Sequence, residues 1–112
     1  MSATSLLAVD ADTAASDTVS VLLDVREREE WIRGHAPGAV HIPMSEFVDR
    51  VGELDPTRSI ICVCRSGNRS AQVTAWLLQH DFDAVNLTGG MNSWSAGGHP
   101  LVNSAGDPGV VI

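Results

Sequence analysis

"SIICVCRSGNRSAQVTAWLLQH", residues Ser59 to His80, decides the fold. Ser59 to Cys64 is an almost unbroken run of branched apolar residues and cysteines, the pattern of a strand buried on both faces. A small polar loop follows at once, with Gly67 between Arg65 and Arg69. From Ser70 to about His80, the residues Val73, Trp76, Leu77 and His80 recur at helical spacing, so the loop opens into a helix. An apolar strand that passes through a tight loop into an amphipathic helix is the unit from which parallel sheets are assembled.

Reading outward finds that unit again. Upstream, "VSVLLDV" (Val19 to Val25) is a second buried strand. "EREEWIRG" is a short helix with acids in its first turn, Arg33 near its end and Gly34 as its stop. "HAPG" turns the chain into "AVHIP" (Ala39 to Pro43), a third short strand. Ser45 is placed to cap a helix in which Phe47, Val48, Val51 and Leu54 share one face, and "DPT" ends it. Downstream, "AVNLT" (Ala84 to Thr88) is a strand, and "GGMNSWSAGGHPL" gives a tight turn, a short helix over Met91 to Ala96 and a glycine-proline exit. "LLAV" near the N-terminus adds a short edge strand. Trp31, Trp76 and Trp94 sit among apolar positions of three of the helices and read as core.

This alternation specifies an α/β fold: a three-layer α/β/α domain around a mostly parallel sheet of about five strands. A chain of 112 residues suits one domain with a real core. The domain is expected over residues 1–101, with 102–112, "VNSAGDPGVVI", as a C-terminal tail. The terminal "VVI" could dock on this domain or on a second subunit.

Charge narrows the function. Fourteen acidic residues face seven basic ones, all arginine, for a net charge of −7 and a pI near 4.7. Such a field repels polyanions, which argues against nucleic-acid binding and against adhesion to anionic membranes. No apolar run approaches the roughly 20 residues that span a bilayer. "MSATSLLAVDADTAAS" has no basic residue and no long apolar stretch, so a secretory signal is not supported and a cytoplasmic location is expected. Cys62 and Cys64 are too few for a disulfide framework. His35, His41, His80 and His99 are not spaced like a second ligand pair, so no metal is expected. Against this acidic background, Arg65 and Arg69 reverse the charge in one short loop beside Cys64.

In a parallel α/β sheet, ligands bind beyond the carboxyl ends of the strands, where this loop lies. Helix N-termini present unpaired N–H groups and a partial positive charge. A cysteine there, beside two arginines, is expected to have a lowered pKa and to be substantially thiolate at neutral pH. Gly67 lets the backbone curl so that several amides point inward. The combination is a nucleophile with an anion cradle built around it.

"CRSGNRS" resembles the active-site loop of the rhodanese family, the sulfurtransferases that carry sulfane sulfur as a cysteine persulfide. "LLDVREREEW", "GHAPGAVHIP" and "LTGGMNSW" are similar to the family's other motifs, in order and spacing, and the resemblance covers about residues 4 to 101. It implies a rhodanese-like fold, Cys64 as the catalytic residue, and Arg65, Ser66, Gly67, Asn68 and Arg69 as the substrate-binding loop, with no cofactor. The implied reaction is double displacement. Cys64 takes sulfur from a small anionic donor such as thiosulfate, and a thiol, cyanide or a sulfur-accepting protein removes it. The same fold hosts phosphatases and arsenate reductases, whose loops are one residue longer. Here four residues separate Cys64 from Arg69, and Ser70 stands where a phosphatase would need its arginine. A smaller ring of amides suits a single sulfur atom better than a phosphoryl group. A non-enzymatic regulatory or binding domain of this fold is the alternative, although such a domain would be expected to have lost the cysteine.

Three further expectations concern neighbours of the loop. Asp24 and Arg26, just past a strand end, read as a structural ion pair or turn bond before a substrate contact. His35 and His41 read as packing or hydrogen-bonding residues, since a low-pKa thiolate hardly needs a general base. Cys62 shares a sheet face with Cys64 but would close a very small, strained disulfide ring, so it reads as a core residue.

Overall fold

The computed structural model describes residues 7–112. Its five strands are β1 (Ala8–Val9), β2 (Val21–Asp24), β3 (Val40–His41), β4 (Ile60–Val63) and β5 (Ala84–Leu87). They form one sheet in the order β1-β5-β4-β2-β3, and every adjacent pair is parallel. Five helices connect or flank them: α1 (Ala11–Ser16), α2 (Arg28–Arg33), α3 (Phe47–Arg50), α4 (Asn68–Gln79) and α5 (Gly90–Ala96).

Side-chain alternation along the central strand β4 creates the three layers. Ile60, Cys62 and, just past the strand, Cys64 enter one core with Leu23, Val25, Phe47, Leu54, Val73 and Leu77. Ile61 and Val63 enter the other with Ala11, Ala14, Leu87, Met91 and Trp94. Helices α3 and α4 therefore cover one face and α1 and α5 the other. Leu23, Leu77 and Leu87 are wholly buried, each worth about 1.5–3 kcal/mol relative to an exposed position.

Several local readings are corrected. The helix α1 was not evident in the sequence, since six residues are too few to display a period. Its signal is Asp10, whose side chain accepts from the Thr13 N–H at 2.8 Å, with Ala11 and Ala14 facing the core. Helix α4 starts at Asn68, two residues before Ser70, because Gly67 adopts φ 112° and serves as its N-cap. Around α3, 3-10 turns at Met44–Glu46 and Val51–Glu53 break the helical phase, so Phe47 and Leu54 are buried while Val48 is 66% exposed. Ser45 does not cap α3; its hydroxyl donates to Glu27 Oε1 at 2.8 Å. The edge strand comprises Ala8 and Val9, and Leu6 of "LLAV" lies outside the described residues.

Trp94 is core, as expected, but Trp31 and Trp76 are only half-buried. Each covers its open face with imidazole. Trp31 lies between His35 and His41, centroids 3.7 and 4.5 Å away, and Trp76 stacks on His80 at 3.6 Å.

The segment 102–112 packs on its own domain. Val102 pairs antiparallel with His35, the Val110 N–H donates to the Arg33 carbonyl at 2.9 Å, and Val111 packs against the second core. Gly34 permits this approach, since a Cβ there would lie 2.6 Å from the Val110 nitrogen. Among the described residues, no helix is long and apolar enough to cross a membrane.

Candidate active site

Strand β4 ends at Val63, which delivers Cys64 to the carboxyl edge of the sheet at its centre. The chain must then curl within three residues to start α4. Gly67 makes that possible with a left-handed φ closed to most side chains. The loop's carbonyls are drawn outward by α5. Cys64 O accepts from the Met91 N–H at 2.8 Å, and Arg65 O accepts from the Asn92 N–H at 3.0 Å. Both donors lie in the first turn of α5, where N–H groups have no partner within the helix.

This docking depends on the Gly89–Gly90 turn, both residues having positive φ. A Cβ on Gly90 would lie 2.6 Å from the Arg65 carbonyl and closer still to that of Cys64. Gly90→Ala will therefore lower stability by at least about 1 kcal/mol and pull the loop off its anchor. The check is urea unfolding beside the alkylation rate of Cys64. An alanine variant as stable and reactive as the parent would show that the anchor is dispensable.

With its carbonyls turned away, the loop turns N–H groups toward the sulfur. The Gly67 N–H donates to Cys64 Sγ at 3.1 Å, and the Ser70 hydroxyl lies 3.2 Å from the same atom. Burial pushes the Cys64 thiol up, but hydrogen bonds from the Ser70 hydroxyl and from the Ser70, Gly67 and Ser66 amides outweigh it, and the net shift is downward. Cys62 contrasts sharply. Both residues are buried, but around Cys62 burial pushes the thiol up to about 12 and a Thr74 hydrogen bond only partly opposes that. Iodoacetamide at neutral pH should consequently modify Cys64 in the folded protein, and Cys62 only after denaturation, as peptide mass mapping will read. Equal labelling of the two would refute this division.

The remaining loop residues separate into two groups. Arg65, Ser66 and Asn68 are exposed. Arg69 is half-buried and its guanidinium reaches α2, where it grips Glu30 with two bonds of 2.7 and 2.8 Å. The Arg69 bonds hold the Glu30 carboxyl below its usual range, despite burial, and Glu30 in turn holds Arg69 more firmly charged. Glu30 was missed in the sequence because an acid in a helix's first turn is already explained by the helix dipole. Ser70 and Asn86 were missed too. Asn86 of β5 donates from Nδ2 to the Gly67 carbonyl at 3.1 Å and accepts from the Ser70 hydroxyl at 2.6 Å.

Asp24 and Arg26 form the expected structural pair. Both are fully buried, with Arg26 Nη2 at 2.7 Å from Asp24 Oδ2 and donating to the Gly34 carbonyl at 2.7 Å. His41 Nε2 sits 2.7 Å from the Arg26 carbonyl, and His35 Nδ1 is 2.8 Å from that of Trp31. Neither imidazole hydrogen-bonds to Cys64 among the described residues.

A parallel α/β domain whose central strand ends in a cradled cysteine defines a class of thiol-based group-transfer proteins and their relatives. Within it, the chain belongs to the Rhodanese-like domain family, which matches residues 7–97. A sulfurtransferase of Allochromatium vinosum is 39% identical over 93 residues, covering 81% of this chain and 87% of its own. Among solved structures, a rhodanese-related protein of Thermoplasma volcanium superposes with a TM-score of 0.80 at 32% identity, covering 85% of this chain and 96% of that one. A rhodanese-like domain protein of Staphylococcus aureus gives 0.72 at 32% identity, covering 78% and 89%.

Proposed function

We propose that the protein transfers sulfane sulfur through a persulfide on Cys64. The observation that carries this is the thiol itself, held 3.1 Å from the Gly67 N–H in a loop whose carbonyls are tied back to α5. In the first half-reaction the Cys64 thiolate attacks the outer sulfur of thiosulfate. The sulfur–sulfur bond of the donor breaks, and sulfite leaves with the electron pair. Arg65 is exposed and has no ion pair among the described residues, so it is the cation free to meet sulfite, whereas Arg69 is held by Glu30. In the second half-reaction cyanide, a thiol or a sulfur-accepting protein attacks the outer persulfide sulfur, and Cys64 departs as thiolate. Two half-reactions joined by one covalent intermediate give ping-pong kinetics.

Intact mass tests the proposal. Reduced protein exposed to thiosulfate should gain the mass of one sulfur atom and lose it on addition of cyanide. Protein that gains no sulfur from thiosulfate or from another persulfide donor, with Cys64 still open to alkylation, would exclude the carrier mechanism and leave a binding domain of this fold.

A further inference from the structure

The Ser70 hydroxyl has one proton and two acceptors within reach. Asn86 Oδ1 lies 2.6 Å away and Cys64 Sγ 3.2 Å away. Asn86 cannot turn its amide around freely, because Nδ2 donates to the Gly67 carbonyl at 3.1 Å and thereby fixes Oδ1 toward Ser70. Asparagine is a poor strand former, yet it stands among Ala84, Val85 and Leu87 of β5, so the position serves its side chain and not the sheet. While Cys64 is a neutral thiol, the shorter bond takes the hydroxyl proton, and the thiol S–H can donate to Ser70 Oγ. Once the sulfur is an anion the preference reverses, since hydrogen bonds to charged acceptors are roughly twice as strong as neutral ones.

We propose that Asn86 is a positioning residue that holds the Ser70 hydroxyl proton away from Cys64 while the sulfur is neutral and yields it when the sulfur becomes an anion. No bond to carbon, oxygen or sulfur changes at Ser70 or Asn86; the hydroxyl rotates, and the thiol proton leaves to solvent. Asn86 thus opposes ionisation of Cys64, and Ser70 favours it. The other charged and titratable groups around the sulfur are Arg65 and Arg69 of the loop, Glu30 of α2 and its N-cap Glu27 beyond Arg69, and Cys62 below in β4. None of them hydrogen-bonds to the Ser70 hydroxyl among the described residues. In its consequence for turnover the proposal rests on the persulfide reading. Cys64 sulfur is anionic before attack, neutral in the persulfide and anionic again as leaving group, so the hydroxyl would swing twice per cycle.

The test is the pH profile of iodoacetamide alkylation at Cys64, on sulfur-free protein with no donor present. A chain that never accepts sulfur from thiosulfate can still pass it, so failure of the transfer reading and failure of this one are separate results. In Asn86→Leu the hydroxyl loses its competing acceptor, and the Cys64 pKa should fall by about half a unit to one unit, the size of one hydrogen bond. In Ser70→Ala it should rise. The double variant should match Ser70→Ala, because the proposed effect of Asn86 on the sulfur runs through Ser70, while the Gly67 carbonyl that loses the Nδ2 bond still accepts from the Ala71 N–H at 3.1 Å. An unchanged or raised pKa in Asn86→Leu, or a fall that persists without Ser70, overturns the proposal. Should the leucine variant fail to fold, NMR of the native protein decides. The Asn86 side-chain carbonyl carbon should titrate with Cys64 and lose most of that shift in Ser70→Ala; an equal shift in both proteins overturns the proposal.

Discussion

Cys64→Ser will abolish sulfur transfer from thiosulfate to cyanide, a loss of roughly a thousandfold or more in thiocyanate formation, while leaving the fold intact. The hydroxyl is close to the thiol in size and can accept the same bond from the Gly67 N–H at 3.1 Å, so the loop keeps its shape. What disappears is the proposed nucleophile. The loop's hydrogen bonds lower the Cys64 thiol, whereas a serine hydroxyl starts far above the neutral range and stays protonated in the same cradle. Cys62→Ser is the matched control, two residues earlier on the same sheet face. Its thiol is pushed up to about 12 and takes no part in the proposed reaction, so activity should stay within a few-fold of the parent. Steady-state rates on both variants, with far-UV circular dichroism to verify folding, make the comparison. Substantial turnover by the Cys64 variant would remove the persulfide from the pathway.

The second large effect falls on stability. Asp24→Leu should cost about 3–5 kcal/mol, the usual result of leaving one partner of a buried ion pair uncompensated. Arg26 is fully buried, donates three side-chain bonds of 2.7 to 3.1 Å to the Asp24 carboxylate, and has one guanidinium nitrogen, Nη1, with no partner among the described residues. Water cannot easily replace the lost carboxylate at that depth. For a domain of about 100 residues, each kcal/mol moves Tm by about 4–8 °C, so the melting point should drop by tens of degrees. Replacing both residues, Asp24→Leu with Arg26→Met, should recover much of the loss, because an apolar pair removes the buried charge. Recovery will be incomplete, since Arg26 also satisfies the Gly34 carbonyl. Urea titration of the three proteins gives the answer. A single variant within about 1 kcal/mol of the parent would mean that water reaches this pair.

The frame and the loop were legible in the sequence for different reasons. Continuous apolar runs such as Ile60–Val63 identify buried parallel strands because both of their faces are covered. Gly67 and the cysteine beside two arginines expose the site because such residues make little sense elsewhere in an acidic chain. What stayed hidden was the partnership across the fold. Glu30 meets Arg69 from 39 positions away, and Asn86 meets Ser70 across 16, pairings that no local pattern encodes. The error at Val48 was one of phase, since a 3.6-residue period cannot be carried through two 3-10 turns. The tail's docking was equally unreadable. It depends on Gly34 lacking a side chain opposite Val110, a steric fact that appears only when the two meet.

Every tryptophan of the chain has an imidazole partner in the fold: Trp31 with His35 and His41, Trp76 with His80, and Trp94 with His99 at 5.2 Å. An imidazole packed close to an indole ring quenches its emission. The native protein should accordingly be dim under ultraviolet excitation and should brighten when unfolding separates the rings. Its optical signal therefore reports tertiary structure from three separate places in the domain without any added label.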